Sequence, residues 1–432
     1  MRLEDTDRER STDAAVKVIL DGMAWLGLDC DDGPYYQTER FDRYNEVTAK
    51  LVDEAKAYHC YCSRERLDSL RAEQMAAKKK PRYDGHCRDN PDADNGNAPV
   101  TRLRTPQSGV VTIDDVVRGT VTIENRELDD LIIARSDGTP TYHLTVVVDD
   151  IDMGVTHVVR GDDHLNNTPR QIHILEALGA PRPVYAHMPM INGQDGKKLS
   201  KRHGAVSVLH YRDQGILPQA LLNYLARLGW SHGDQELFSV EELIEKFDIA
   251  DINKSAAAFD LDKLLWVNQH YIQTLEMDTL VEHAEPHFDA VGIETGDRAQ
   301  LLAVIDAQRS RAKTLVEMAE KSRPFFGEFA GFDESAAKKH LRKVVAEPLK
   351  MLRDRFAVHE SWRGAELQSI VEEVAALFEL KLGKIAQPLR VAVTGVSASP
   401  SIDITLELIG RERCLERIDL ALKYIAERAL AA

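Results

Sequence analysis

Aromatic residues make up only 6% of the chain, and cysteine is scarcer still, at five of 432 positions. No apolar run approaches the ~18 residues that a membrane-crossing helix needs, so no helical membrane protein is expected. The opening MRLEDTDRERST holds no apolar h-region, and no secretory signal is expected from it. Cys30, Cys60, Cys62, Cys87 and Cys414 are odd in number, and three of them share one segment. Free thiols or a metal site in a reducing cytoplasm fit that pattern better than a disulfide framework. Positive charge is in deficit, with 55 Lys+Arg against 71 Asp+Glu and a net charge of -16. That deficit argues only weakly against a nucleic-acid partner. Charges farther apart than roughly 8 Å are screened at physiological salt, and a local basic patch decides binding to phosphates.

What is present describes a globular chain, with 43% hydrophobic and 29% charged residues. Its length implies two to four domains. Residues 13–26 place Ala15, Ile19, Met23 and Leu26 on one helical stripe, and a second helix is expected around 40–57. Residues 58–100 read as an inserted module with three cysteines, the run KKKPR and little apolar periodicity. VVTIDDVVRGTVTI, DLIIAR and YHLTVVVDD read as strands, separated by turn signals such as SDGTP. VTHVVRG, NNTPRQIHILEALGA and VYAHMPMI then read as strand, helix and parallel strand, with Thr168 as N-cap and Gly179 just past the helix end. Both strands would end on one edge of the sheet, where open α/β sheets bind ligands. Arg160, Asp162 and Asp163 are therefore expected to face one crevice with the loop that follows. Beyond residue 205 the pattern is helical, as in LPQALLNYLARLGW and the amphipathic stretches 297–380 and 403–430.

That loop, INGQDGKKLSKRHGA, sets four Lys/Arg in the six positions from Lys197 to Arg202. It is not a P-loop, because only two residues separate Gly193 from Gly196 and no long helix opens at the lysine. A solvated charged turn is one reading. The other is a mobile cationic arm that meets a polyphosphate, each preorganised cation lowering a barrier by ~3 kcal/mol.

KKLSKRHG resembles the KMSKS signature of class I aminoacyl-tRNA synthetases, in the spelling of the glutamate enzymes. LEDTDRERST, DGPYYQTERFDRY, YHCYCSRERL, KPRYDGHCR, PTYHLTVVVDDIDMGVTHVVRGDDHLNNTPRQI and LLNYLARLGWSHGD are similar to the same family, in order over essentially the whole chain. The resemblance implies a Rossmann-like α/β nucleotide-binding catalytic domain followed by an all-α anticodon-binding region. It implies attack of glutamate on the α-phosphate of ATP, then transfer of the activated acyl group to the terminal adenosine of tRNA. Positioning and charge stabilisation carry such chemistry. By resemblance Lys201 sits on the ATP phosphates, with Lys198, Leu199, Ser200 and Arg202 in the same loop. Arg160 is similar to the arginine of the amino-acid pocket, where a guanidinium can grip a carboxylate with two bonds; an ion pair with Asp162 or Asp163 is the alternative. Glu4 matches a pocket glutamate and Tyr142 a substrate-lining tyrosine, against an exposed charge and a core tyrosine. Asp163 stands where relatives commonly carry Glu, and Val146 where some carry Asn.

Cys60 and Cys62 form C-x-C, and Cys87 follows after 24 residues. Zinc prefers four N/S ligands, and some members of the family hold one here. Asp89 falls at the fourth ligand position, with His59 and His86 as neighbours; a zinc site and a bare thiol cluster both stand. Arg411, Arg413 and Arg417 are candidates for phosphate contact or for plain solubility. QPLRVAVTG reads as strand by β-branching, whereas the resemblance implies helix.

The family begins with a strand, the HIGH signature and a second strand, roughly 30–40 residues in all. This sequence opens after them, so an incomplete catalytic domain is expected. A misplaced start, with a longer and active protein behind it, is the expected reason, and an inactive tRNA-binding remnant is the alternative; the chain as it stands is expected to show weak or absent activity. The expected segments are 1–57 (catalytic), 58–150 (acceptor-end insertion), 151–205 (second catalytic half), 206–285 (stem contact) and 286–432 (anticodon binding). The expected partners are tRNA(Glu), with tRNA(Gln) open, L-glutamate, and ATP with Mg2+. A cytoplasmic monomer, clear of membranes, is expected.

Overall fold

Short strands and helices make up the first of two units, Met1–Leu209 with Leu222–Asp260. The computed structural model describes residues 1–7, 11–90, 94–199, 207–327 and 329–430. In chain order the first unit contains β1 (Arg2–Leu3), α1 (Asp13–Leu26), β2 (Tyr35–Tyr36), α2 (Phe41–Asp53) and β3 (Ala57–Cys60). It continues with α3 (Arg64–Ala76), β4 (Val100–Leu103), β5 (Val110–Asp115), β6 (Gly119–Glu124) and β7 (Ile132–Ala134). Then come α4 (Tyr142–Asp152), β8 (His157–Gly161), α5 (Thr168–Leu178), β9 (Val184–Met188) and β10 (Ile191–Asn192).

The expected strand–helix–strand is β8–α5–β9, and the two strands pair in parallel with Arg160 opposite His187. α5 ends where Gly179 takes φ 69°, a left-handed conformation in which its N–H reaches the carbonyl of Glu176. Asn167, not Thr168, holds the N-cap position; Thr168 is the first helical residue and its hydroxyl is used elsewhere. VVTIDDVVRGTVTI, read as strand, forms the antiparallel pair β5 and β6. They belong to the same sheet as β8 and β9, in the order β6-β5-β9-β8, with Asp115 of β5 beside Tyr185 of β9. β3, β4 and β7 make a separate three-stranded antiparallel sheet.

YHLTVVVDD is a helix and not the expected strand. α4 buries Leu144, Thr145, Val146, Val147, Val148 and Asp149, so it is covered on nearly every side. A continuous apolar run of this kind carries no periodicity that separates helix from buried strand. Packing against Tyr44, Leu51, Ile174 and Leu175 decides it, each fully buried aliphatic side chain contributing roughly 1.5–3 kcal/mol. That burial outweighs the weak helix propensity of valine. One carboxylate, Asp149, lies at the centre of this packing with no exposed surface. It accepts from Gln37 (2.9 Å), Arg40 Nε (2.8 Å) and Tyr44 (2.9 Å).

The second unit, His210–Leu221 with Leu261–Ala432, is helical. Its helices include Leu261–Thr274, Met277–Ala290, Ala346–Val358, Gly364–Leu377 and Arg411–Leu430. QPLRVAVTG lies in the helix Gly383–Thr394, the form implied by resemblance, with Val391, Ala392 and Val393 buried. Arg417 is 3% exposed and donates to the carbonyls of Pro324 (2.9 Å) and Val393 (2.8 Å). Arg413 donates to the carbonyl of Phe325 at 2.8 Å and Arg411 to that of Glu360 at 3.0 Å. The three arginines thus satisfy backbone carbonyls of their own unit. No helix of the described residues is long and apolar enough to cross a membrane.

Candidate active site

β8 and β9 end on the same sheet edge, and the residues singled out from the sequence gather there. Glu4, Tyr142 and Arg160 line one cavity of about 920 Å³, together with Arg2, Val146, Asp150 and His164. Glu4 accepts from Arg2 at 3.0 Å, and Arg2 also donates to Asp150 at 2.6 Å. Burial pushes the Asp150 carboxyl up while the Arg2 guanidinium pulls it back. The Tyr142 hydroxyl lies 3.4 Å from Nδ1 of His164, and burial raises its pKa. The wall therefore carries both a carboxylate and a guanidinium, as an amino acid with its own ammonium and carboxylate groups requires.

Arg160 makes no ion pair with Asp162 or Asp163. Its Nη2 donates to Thr168 Oγ1 and Gln171 Oε1, both at 2.8 Å, and its Nε points at Nε2 of His187, 3.3 Å away. Asp162 pairs instead with Arg118 of the β5–β6 turn. Asp163 accepts from Lys198 Nζ at 2.9 Å, a contact that holds its carboxyl below the usual range. Lys198 and Leu199 follow β10, and Leu199 N–H donates to the Ile191 carbonyl at 2.9 Å. Ser200, Lys201 and Arg202 lie outside the described residues.

The thiols of Cys60, Cys62 and Cys87 come together, with their sulfurs all within 4.8 Å of one another and Cys62 Sγ 3.6 Å from Cys87 Sγ. Three thiolates at zinc–sulfur bonds of ~2.3 Å would stand roughly 3.8 Å apart, so the spacing fits a tetrahedral ion. Asp89 does not join them. It is 79% exposed and paired with Arg104 at 2.6 Å. Cys60 lies within β3, where successive side chains alternate faces, so His59 is turned away and exposed. The Tyr83 hydroxyl sits instead 3.4 Å from Cys60 Sγ and 3.9 Å from Cys62 Sγ. Tyr83 was overlooked in the sequence, although KPRYDGHC sets it four residues before Cys87.

A second cleft of about 740 Å³ is lined by Arg71, Arg82, Arg102, Arg170 and His143. Asp129 shares this lining and pairs with Arg170 at 3.7 Å, and Arg102 is only 5% exposed, so Arg71 and Arg82 are the cations the cleft turns to solution.

Comparison with known proteins accounts for nearly all of the chain. Residues 1–266 match the family of tRNA synthetases class I (E and Q), catalytic domain, and residues 279–422 match the anticodon binding domain family. Glutamate–tRNA ligase 1 of Alkalilimnicola ehrlichii is 57% identical, over 99% of this chain and 91% of its own length. Glutamate–tRNA ligase 1 of Nitrosococcus oceani is 56% identical, over 100% of this chain and 92% of its own length. The crystal structure of a glutamate tRNA ligase from Elizabethkingia meningosepticum, in complex with its amino acid, superposes with a TM-score of 0.86. It is 28% identical, over 98% of this chain and 92% of that one. Alignment of named ligases over 99–100% of the chain gives no support to the expected loss of activity or to the alternative of an inactive remnant. Two family matches that share out the chain, together with relatives more than half identical over its whole length, make it a member of the glutamate–tRNA ligases, class I aminoacyl-tRNA synthetases.

Proposed function

We propose that the chain joins glutamate to tRNA(Glu) in two steps, through a glutamyl-adenylate. The convergence of Glu4, Tyr142 and Arg160 on one cavity at the sheet edge carries this reading. Glu4 faces the substrate ammonium, Arg160 a substrate carboxylate, and Tyr142 lines the wall between them. Asp163 and the loop Lys198, Leu199, Ser200, Lys201 and Arg202 belong to the same site, the lysines meeting the triphosphate of ATP. Mg2+ enters with ATP. Preorganised cations act most strongly where charge develops in the transition state, which fits a loop whose Lys198 already reaches Asp163 just past the end of β8.

Cys60, Cys62 and Cys87 would hold a structural zinc ion, with the Tyr83 hydroxyl the nearest further donor. The arginine-lined cleft beside it supports contact with the acceptor end of tRNA. The division into segments 1–57, 58–150, 151–205, 206–285 and 286–432, a cytoplasmic location, a monomeric state and the charging of tRNA(Gln) belong to the same proposal. Transfer of labelled glutamate to tRNA(Glu) with ATP tests it, with tRNA(Gln) in a parallel assay. Glutamylation abolished by Arg160→Gln supports the assignment. Charging that Arg160→Gln leaves intact would remove Arg160 from the pocket.

A further inference from the structure

His187 and Asp115 are buried beneath the cavity and have no part in the two-step reaction as described. Neither side chain has any exposed surface, and His187 Nδ1 lies 2.5 Å from Asp115 Oδ2. Asp115 is otherwise fixed by backbone donors: Val117 N–H at 3.0 Å and Arg118 N–H at 2.8 Å to Oδ1, and His187 N–H at 3.1 Å to Oδ2. On the other side of the ring, His187 Nε2 faces Thr168 Oγ1 at 3.0 Å and Arg160 Nε at 3.3 Å.

These contacts dictate the proton's place. A guanidinium Nε–H can only donate, so Nε2 must offer a lone pair. Nδ1 must then carry the hydrogen and give it to Asp115. Burial holds the His187 pKa below the ordinary value, against the pull of Asp115. The backbone donors and His187 keep Asp115 ionised in spite of its own burial. A carboxylate behind a neutral imidazole fixes both tautomer and ring orientation, as outer carboxylates do for metal-bound histidines.

We propose that Asp115 and His187 are positioning residues that fix the Arg160 guanidinium for the substrate carboxylate. The carboxylate sets the tautomer, the imidazole receives Nε–H, and Thr168 with Gln171 holds Nη2. Asp115 reaches the site from the end of β5, so the β5–β6 turn supports the sheet edge at two points, here and through Arg118 on Asp162. This inference rests on the reading of Arg160 as a pocket residue.

Asp115→Asn tests it with little change of shape. The Val117 and Arg118 N–H groups bind Oδ1, and the His187 N–H also reaches it at 3.2 Å, which leaves the Asn amide donating to Nδ1 and forces hydrogen onto Nε2, donor against donor at Arg160. The full chain labelled with 15N-histidine should show His187 as the Nδ1–H tautomer in the wild type and Nε2–H in the variant. Glutamate should bind the variant at least 10-fold more weakly by calorimetry. A wild-type His187 that is charged or Nε2-protonated overturns the proposal without any variant. So does a tautomer switch that leaves glutamate affinity unchanged when Arg160→Gln weakens it. Should Arg160→Gln also bind glutamate normally, the pocket reading falls separately. The Arg160 Nε–H resonance then decides, its displacement in Asp115→Asn supporting the positioning role and its constancy refuting it.

Discussion

Lys198 Nζ lies 2.9 Å from Asp163 Oδ2, tying the start of the cationic loop to the turn that follows β8. Both side chains are about half exposed, at 60% and 46%, so the pair is worth no more than about 1 kcal/mol. A contact that weak can be exchanged for a phosphate.

The exchange gives two predictions of opposite sign. Asp163→Asn removes the carboxylate that competes with ATP for Lys198, and ATP should bind up to about 5-fold tighter, the equivalent of ~1 kcal/mol. Lys198→Ala removes a cation from the triphosphate, and ATP should bind about 10-fold more weakly. Calorimetric titration of both variants against the wild type checks this. A weaker affinity in Asp163→Asn would mean that the carboxylate helps to build the site and does not compete for it.

The thiol cluster predicts one zinc per chain, released by mercurial titration and read with a chromogenic chelator. Cys60→Ser should lower that stoichiometry below one half. Cys30, which is exposed, should react with a thiol reagent in the native protein. Cys414 should react only on unfolding, because burial pushes its pKa up to about 12 and the reactive species is the thiolate.

Asp149 of α4 is the shared acceptor for three side chains between Gln37 and Tyr44. Asp149→Ala leaves Tyr44, Gln37 and Arg40 without their shared acceptor. Removing one member of a buried charged network costs about 3–5 kcal/mol, so the urea midpoint should fall markedly. Tyr44→Phe, which loses one donor and leaves the carboxylate paired, should cost about 1 kcal/mol.

These networks mark where the sequence ceases to be informative. β8, α5 and β9 were legible because strand length, a helix-closing glycine and β-branching agree locally. α4 was not: Leu144, Val147 and Val148 are helical only because α2 and α5 cover them, which no local pattern records. Arg160 could be placed in the crevice by topology, yet its partners could not. Asp115 and His187 are 72 positions apart and share no motif, so the pair exists only once β5 and β9 are neighbours. Tyr83 shows the opposite failure: it stands in plain view four residues before Cys87, and nothing in the spacing favours its hydroxyl over the Asp89 carboxylate, which the fold pairs with Arg104.

His143 predicts how stability responds to acid. Burial first, then the charges of Arg170 and Arg160, lowers its pKa from 6.5 to about 4, and its Nδ1 has no hydrogen-bond partner. Between those two values the unfolded chain binds a proton that the folded chain refuses. Stability is therefore intact above pH 6.5 and is lost progressively as the pH falls towards 4. A shift of this size corresponds to roughly 2 kcal/mol once the partial exposure of the ring is allowed for. His173, His283 and His287 are depressed in the same direction, so the wild-type slope is a sum. His143→Gln should remove close to one proton from it, measured as unfolding free energy in urea at intervals from pH 4 to 7. An unchanged slope in that variant would place the His143 proton on the folded protein as readily as on the unfolded chain.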